Sequence, residues 1–313
     1  MTPRRVLITG AAGYVGRQLG ARLAASGFVL GTDLRSRTDL PFELIPLDIR
    51  DPSLGALLRT RHITHVVHLA SVLESTGNRE RDHDIDVNGT RHVVESCLAA
   101  RVRHLTVASS GAAYGYHADN PAWIDESDPL RAGERFAYAH HKRLVEEMLA
   151  GYRASHPALR QLVFRIGTVL GATTENQITA LFARRRLLAI RGSESPFVFV
   201  WDTDLVNAMA YGVEQDRAGV FNVAGDGALT IGEIAAILGK RTLPLPAWLL
   251  EAALGVTRAV GVGRYGPEQV DFLRFRPVLS NRRLKEEFGF TPAKSSAETF
   301  RFFVEHARAR RIL

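Results

Sequence analysis

Cysteine is all but missing from this 313-residue chain. The single thiol, Cys97, has no partner for an internal disulfide, so nothing points to an oxidising compartment, and a cysteine-built metal cage is excluded. Proline is sparse as well, 13 residues against 27 glycines in a chain that is 46% hydrophobic, which excludes collagen-like, disulfide-scaffold and disordered classes. Long hydrophobic runs are lacking too. The most apolar stretch, Leu243 to Gly263, holds Glu251 and Arg258 and has Pro244 and Pro246 near its start, so it reads as a substrate-side or interface helix and not as a membrane span. At the N-terminus Arg4 and Arg5 are followed by only Val6-Leu7-Ile8 before Thr9-Gly10, too little for a secretory leader. A cytoplasmic location with no membrane partner is expected.

Lysine is a further scarcity. Of 40 basic side chains only Lys142, Lys240, Lys285 and Lys294 are lysines, and the arginines are mostly scattered singly. The net charge of +7 therefore reads as a solvated, arginine-rich surface, because a polyanion footprint needs clustering on one face. No nucleic-acid partner is expected, and the short runs Arg184 to Arg186 and Arg308 to Arg311 do not alter that.

What is present is an alternation of short β-branched runs with longer helical periods, the pattern of parallel strands joined by crossover helices. Strands are expected at Arg5 to Thr9, Phe28 to Asp33, Glu43 to Leu47, His65 to Leu69, His104 to Ser109 and Gln161 to Ile166. Helices are expected near Val15 to Ala25, Ser53 to Thr60, Val87 to Ala100 and Arg135 to Ser155. The fold class is α/β, a Rossmann-type doubly wound parallel sheet with a smaller, mostly helical C-terminal lobe, and ligands belong beyond the carboxyl ends of the strands. Residues 1–170, with a return to the sheet at about 197–222, make the nucleotide-binding domain; 171–196 and 223–313 make the substrate lobe.

Gly10-Ala11-Ala12-Gly13-Tyr14-Val15-Gly16 stands between the first strand and the first helix. Glycines there permit a tight turn, backbone approach to a pyrophosphate and close packing of helix on strand, and the helix N-terminus offers amide donors to phosphate. Asp33, closing the second strand, suits the ribose hydroxyls of adenosine and repels a 2′-phosphate, so NAD is expected ahead of NADP, with Arg35 and Arg37 close enough to soften that preference. Tyr138-Ala139-His140-His141-Lys142 puts a phenol and an ammonium on one helical face. An ammonium beside a phenol favours the phenolate and fits it for proton transfer coupled to hydride transfer. Lysine at this spot is informative where nine basic residues in ten are arginine. Ser110, at the end of the fifth strand, is the hydroxyl placed to hold the reacting oxygen, while Ser109 only finishes the strand.

With these motifs in order, the chain resembles the extended short-chain dehydrogenase/reductases, the NAD-dependent epimerase/dehydratase family, over essentially its whole length. The resemblance implies Ser110, Tyr138 and Lys142 as catalytic residues. It implies cofactor contacts from Gly10, Ala12, Gly13, Tyr14, Val15, Gly16, Asp33, Asp48, Ile49, Leu69, Ala70, Ser71, Asn88, Ala108, Tyr138, Lys142 and Ile166. It also implies a homodimer through Val87 to Ala100 and Arg135 to Ser155, a small-molecule substrate and no metal. Departures from the family pattern bear on the substrate. Gly111 and Ala112 stand where dehydratases carry an Asp-Glu pair, which argues against elimination. Thr168 stands where sugar-nucleotide epimerases place Asn, and Ser195-Pro196-Phe197 where they place a diphosphate-binding Arg, for which Arg191 is a substitute. The expected activity is NAD-dependent hydride transfer at a hydroxyl or keto carbon of a sugar nucleotide or related sugar, an epimerase. The alternatives are a reductase or dehydrogenase of a non-nucleotide alcohol or ketone, suggested by Phe197, Phe199 and Trp201, and a non-catalytic dinucleotide-binding regulator.

Three features are set aside. His62, His65 and His68 alternate sides of a strand and do not form a metal face. His140 and His141 are expected at exposed helix positions. Cys97 lies on an apolar helical face and belongs to the core.

Overall fold

The computed structural model describes residues 3–73, 75–259, 266 and 268–313. Val6 and Ile8 of β1 (Arg5–Thr9) pack toward one side of a sheet and Leu7 toward the other, all three buried, as a strand covered on both faces requires. The same holds through β2 (Phe28–Asp33), β4 (His65–His68), β5 (His104–Ser110) and β6 (Arg160–Ile166), with β3 (Glu43–Pro46) at the edge. Together with β10 (Gly219–Val223) they form a seven-stranded parallel sheet in the order β10-β6-β5-β4-β1-β2-β3. It is a Rossmann-type doubly wound sheet, and the strand order reverses between β1 and β4.

Helices α1 (Tyr14–Ala24) and α7 (Asp202–Glu214) cover one face with Leu19, Leu23, Leu205 and Met209. Helices α2 (Leu54–Thr60), α4 (Gly89–Ala99) and α5 (Ala137–Ser155) cover the other with Leu58, Val93, Cys97 and Leu149. The helix expected from residue 87 begins earlier: α3 (Arg79–His83) runs through a π-helical turn, Asp84–Asn88, into α4. The wide turn carries Asp86 inward, which its acidic sequence did not suggest.

After β6 the chain forms β7 (Thr168–Leu170), α6 (Gln177–Phe182) and β8 (Arg186–Ile190). Only β10 of the expected return joins the main sheet; β9 (Phe199–Trp201) pairs in parallel with β7 instead. The C-terminal part is mostly helical, with α8 (Ile231–Leu238), α9 (Ala247–Ala259), α10 (Gln269–Arg274) and α11 (Ser296–Ala309), and β11 (Arg241–Leu245) pairs with β8. Its core is aromatic: Phe182, Phe197, Phe199, Phe300 and Phe303 pack together. The Leu243 to Gly263 stretch divides into β11 and α9, its last residues lying outside the described ones, and among the described residues no helix is long and apolar enough to cross a membrane.

Gly16 fixes how closely α1 approaches β1. A Cβ there would lie 2.3 Å from the Gly10 carbonyl oxygen and 2.8 Å from Ala11 Cα, backbone atoms that cannot swing away. Gly16→Ala is expected to cost about 1–3 kcal/mol by overpacking, read as a lower denaturant midpoint at unchanged slope; an unchanged midpoint would refute this close approach.

Candidate functional site

The turn after β1 and the loop after β4 meet at the strand-order reversal. Gly10 has φ +70°, and a Cβ on it would stand 2.8 Å from Ala70 N, so only glycine lets these loops touch. Gly13 N–H donates to the Gly10 carbonyl at 3.0 Å and closes the turn. No side chain caps α1 and no acid stands in its first turn, which leaves its N-terminal amides, at Tyr14, Val15 and Gly16, available to an anion. Asp33 accepts from Ala12 N–H at 3.1 Å and from Arg35 N–H at 3.0 Å, while Arg37 turns away to Asp39. This glycine turn against a bare helix N-terminus, with a carboxylate at the end of β2, fits a dinucleotide.

Other candidate residues rim the same edge. Asp48 is held by Arg50, whose hydrogen bonds keep its carboxyl below the usual range despite burial, and Ile49 is buried where a Cβ on Gly89 would meet it. Asn88 is exposed and donates to Asp84. Leu69 and Ala70 follow β4, and Ser71 Oγ donates to Asp86 at 2.9 Å. Tyr14 donates its hydroxyl to Asp202, and Ile166 ends β6 beside Ser110.

Tyr138 lies in the first turn of α5 and Lys142 one turn later. Lys142 is buried, donates Nζ to the Ala108 carbonyl at 2.8 Å and stands 5.5 Å from the centre of the Tyr138 ring. Ser110, last in β5, accepts from Ala112 N–H at 3.2 Å and so caps a 3₁₀ turn, Gly111–Tyr114. The strand alternation turns Ser109 the other way, and it does more than end the strand: its Oγ donates to the buried Glu146 at 2.5 Å.

Glu146 begins a polar cluster beneath these residues. Arg165 reaches it through Nε at 2.9 Å and Nη2 at 2.8 Å, and donates Nη1 to the Tyr114 hydroxyl at 2.7 Å. Burial disfavours the Arg165 charge, but Glu146 and Tyr114 hold its pKa above the ordinary value. The Tyr114 hydroxyl donates to Asn222, whose Nδ2 donates to the Ile124 carbonyl at 3.0 Å.

The exposed position expected for His141 is not what the structure has. His141 is buried against Asp86, Nδ1 to Oδ2 at 3.0 Å, because the π-helical turn brings that carboxylate under α5. Burial raises the Asp86 carboxyl, yet His141, Lys142, Val72 N–H and Ser71 together keep it below its usual value. His140 is half-buried beside it.

Arg276 was not legible in the sequence. Its guanidinium is stacked between Phe197, 3.8 Å from the ring centre, and Phe272 at 4.1 Å, and its Nε and Nη2 are buried without a hydrogen-bond partner among the described residues. Burial pulls its pKa down to about 9, so it remains cationic at neutral pH. Tyr116 connects it to α5, its ring 5.2 Å from Phe272 and 4.6 Å from Phe136, two residues before Tyr138. The only advance signal was an arginine preceded by Phe272 and Phe275, too weak to single out. Arg191, the expected substitute, is exposed at the end of β8.

The histidines set aside have ordinary partners: His65 meets Asp216, and His68 lies between Thr9 and Thr90. Burial, then the Lys142 charge, pushes His68 down to about 3, so it is neutral. Cys97 is a buried free thiol, raised by desolvation. No group of three or more His, Cys, Asp or Glu able to hold a metal occurs among the described residues.

A family model described as the NAD dependent epimerase/dehydratase family matches residues 6–224. A Mycobacterium tuberculosis protein described only as uncharacterized is 23% identical over 310 residues, covering 95% of this chain and 82% of that protein. A UDP-glucose 4-epimerase of Streptomyces lividans is 31% identical over 163 residues, 49% of this chain and 48% of that one. The crystal structure of Thermus thermophilus UDP-glucose 4-epimerase in complex with NAD aligns with a TM-score of 0.75 at 25% identity, covering 97% of this chain and 99% of that chain.

Proposed function

From the premise that the chain belongs to the NAD dependent epimerase/dehydratase family, we propose that it is a sugar-nucleotide epimerase acting at a hydroxyl-bearing carbon through Ser110, Tyr138 and Lys142. Arg276 carries this reading. A guanidinium with unpaired, buried nitrogens is costly unless an anion completes it, and Phe197, Phe272 and Tyr116 around it leave a diphosphate as a fitting partner. The relatives named for UDP-glucose epimerisation support the same substrate class. Of the aromatics that suggested a non-nucleotide substrate, Phe199 packs in the C-terminal core, Trp201 lies against Phe302 and Lys294, and Phe197 stacks on Arg276, which favours an anionic substrate over an apolar one.

The glycine turn, the α1 N-terminus and Asp33 would hold NAD, which would supply a reversible hydride acceptor. Tyr138 moves the proton at the substrate oxygen, as base on oxidation and as acid on return. Lys142, fixed by the Ala108 carbonyl, places a positive charge beside the phenol and donors toward the ribose. Ser110 orients the oxygen between phenol and nicotinamide. The net reaction would be epimerisation if the cofactor stayed bound through turnover. Residues 171–196 and 223–313 act as the lobe that closes over the substrate, in a cytoplasmic homodimer packed through α4 and α5.

Heat-denatured protein is expected to release NAD, and the native enzyme to interconvert nucleotide sugars without added cofactor. Arg276→Met is expected to raise KM for a UDP-sugar by about 10- to 100-fold, the worth of a charge-assisted pair, with kcat changed far less. No released NAD together with no turnover of any nucleotide sugar would sink the proposal, and an unchanged KM in Arg276→Met would remove Arg276 from it.

A further inference from the structure

Helix α9 is built the wrong way round for a soluble surface. From residue 247 to 256 its exposed positions are Trp248, Leu249, Ala252, Ala253 and Val256, a single stripe on a 3.6-residue repeat with no polar side chain in it. Trp248 is 67% exposed and Val256 64%, whereas the one charged residue of that span, Glu251, is half-buried. The apolar surface extends onto the β8–β11 sheet. Parallel partners share a face, so Leu188 lies beside Leu243 and Arg186 beside Arg241. Leu243 is 39% exposed, while Leu187, pointing the other way, is buried in the aromatic core.

Charge accompanies this surface. Residues 184–191 and 240–256 hold six basic side chains against the single acid Glu251. Arg184, Arg185, Arg186 and Arg241 are exposed, and no ion pair engages them among the described residues. Five residues of strand separate the arginine end of this sheet from α9, roughly 16 Å at the usual rise, which is within the footprint of one peripheral contact.

We propose that this face, α9 with the β8–β11 sheet, docks on an anionic lipid bilayer. A tryptophan and aliphatic stripe enters the headgroup boundary while unpaired arginines meet lipid phosphates. A second copy of the chain is a poorer occupant. A two-fold contact sets a face against itself, and here arginines would oppose arginines with hardly an acid to pair them. The inference does not depend on the substrate assignment. Because α9 packs on α10, whose Phe272 stacks on Arg276, docking holds that side of the cleft close to the lipid surface.

The test is co-sedimentation of the full chain with phosphatidylcholine vesicles, with and without phosphatidylglycerol. Binding to the anionic vesicles is expected, falling at least tenfold in Trp248→Glu. It should fall similarly in the triple variant Arg184→Glu, Arg186→Glu, Arg241→Glu and on raising salt, with thermal midpoints unchanged because all four positions are on the surface. Failure of the unaltered protein to bind anionic vesicles overturns the proposal, as does binding that both variants retain. A dimer that Trp248→Glu converts to monomer, without vesicle binding, would assign the face to a second copy and also overturn it.

Discussion

Tyr138→Phe is expected to lower kcat by about 10²- to 10⁴-fold, the usual worth of a positioned acid/base, while leaving bound NAD and substrate KM within a few-fold. The phenol oxygen is the only atom removed. The ring stays in the first turn of α5, and Lys142 keeps its anchor on the Ala108 carbonyl, a bond that does not involve Tyr138. Loss confined to kcat therefore reports proton transfer, and single-turnover measurement with a nucleotide sugar separates it from product release. Turnover within a few-fold of the unaltered enzyme would remove Tyr138 from the mechanism.

Glu146→Ala carries the largest expected effect on stability, a loss of about 3–5 kcal/mol, as for breaking one side of a buried ion pair. Arg165 would keep its Tyr114 contact and the Glu126 carbonyl, but its charge would lie buried without a carboxylate, and Ser109 Oγ would lose its acceptor. The measurement is urea denaturation at unchanged slope. Glu146→Gln, which keeps an acceptor for Ser109, should lose less than Glu146→Ala. A cost below about 1 kcal/mol, the range of a surface pair, would mean that the cluster does not hold α5 to β5.

Local pattern carried the strands, the glycine turn and Tyr138/Lys142, because period and spacing are set by neighbouring residues. The first six strands lie within a residue or so of the expected limits. What escaped depends on distant partners. His141 is buried only because a π-helical turn before α4 presents Asp86, and nothing in His140-His141 signals that turn. Ser109 acquires its role from Glu146 on another element, and Arg276 its character from Phe197, far back along the chain. β9 could be read as a strand but not assigned to β7, since a three-residue run carries no information about its partner.

The polar cluster has a bearing on redesign. The Ile124 carbonyl that holds Asn222 also accepts from Ser280 N–H, and Ile124 N–H donates to the Val278 carbonyl, two residues beyond Arg276. One set of hydrogen bonds thus runs from Glu146 on α5 to the segment just after Arg276. A redesign that leaves Glu146, Arg165, Tyr114, Asn222 and Ile124 untouched therefore keeps α5 and the Arg276 segment in register with each other.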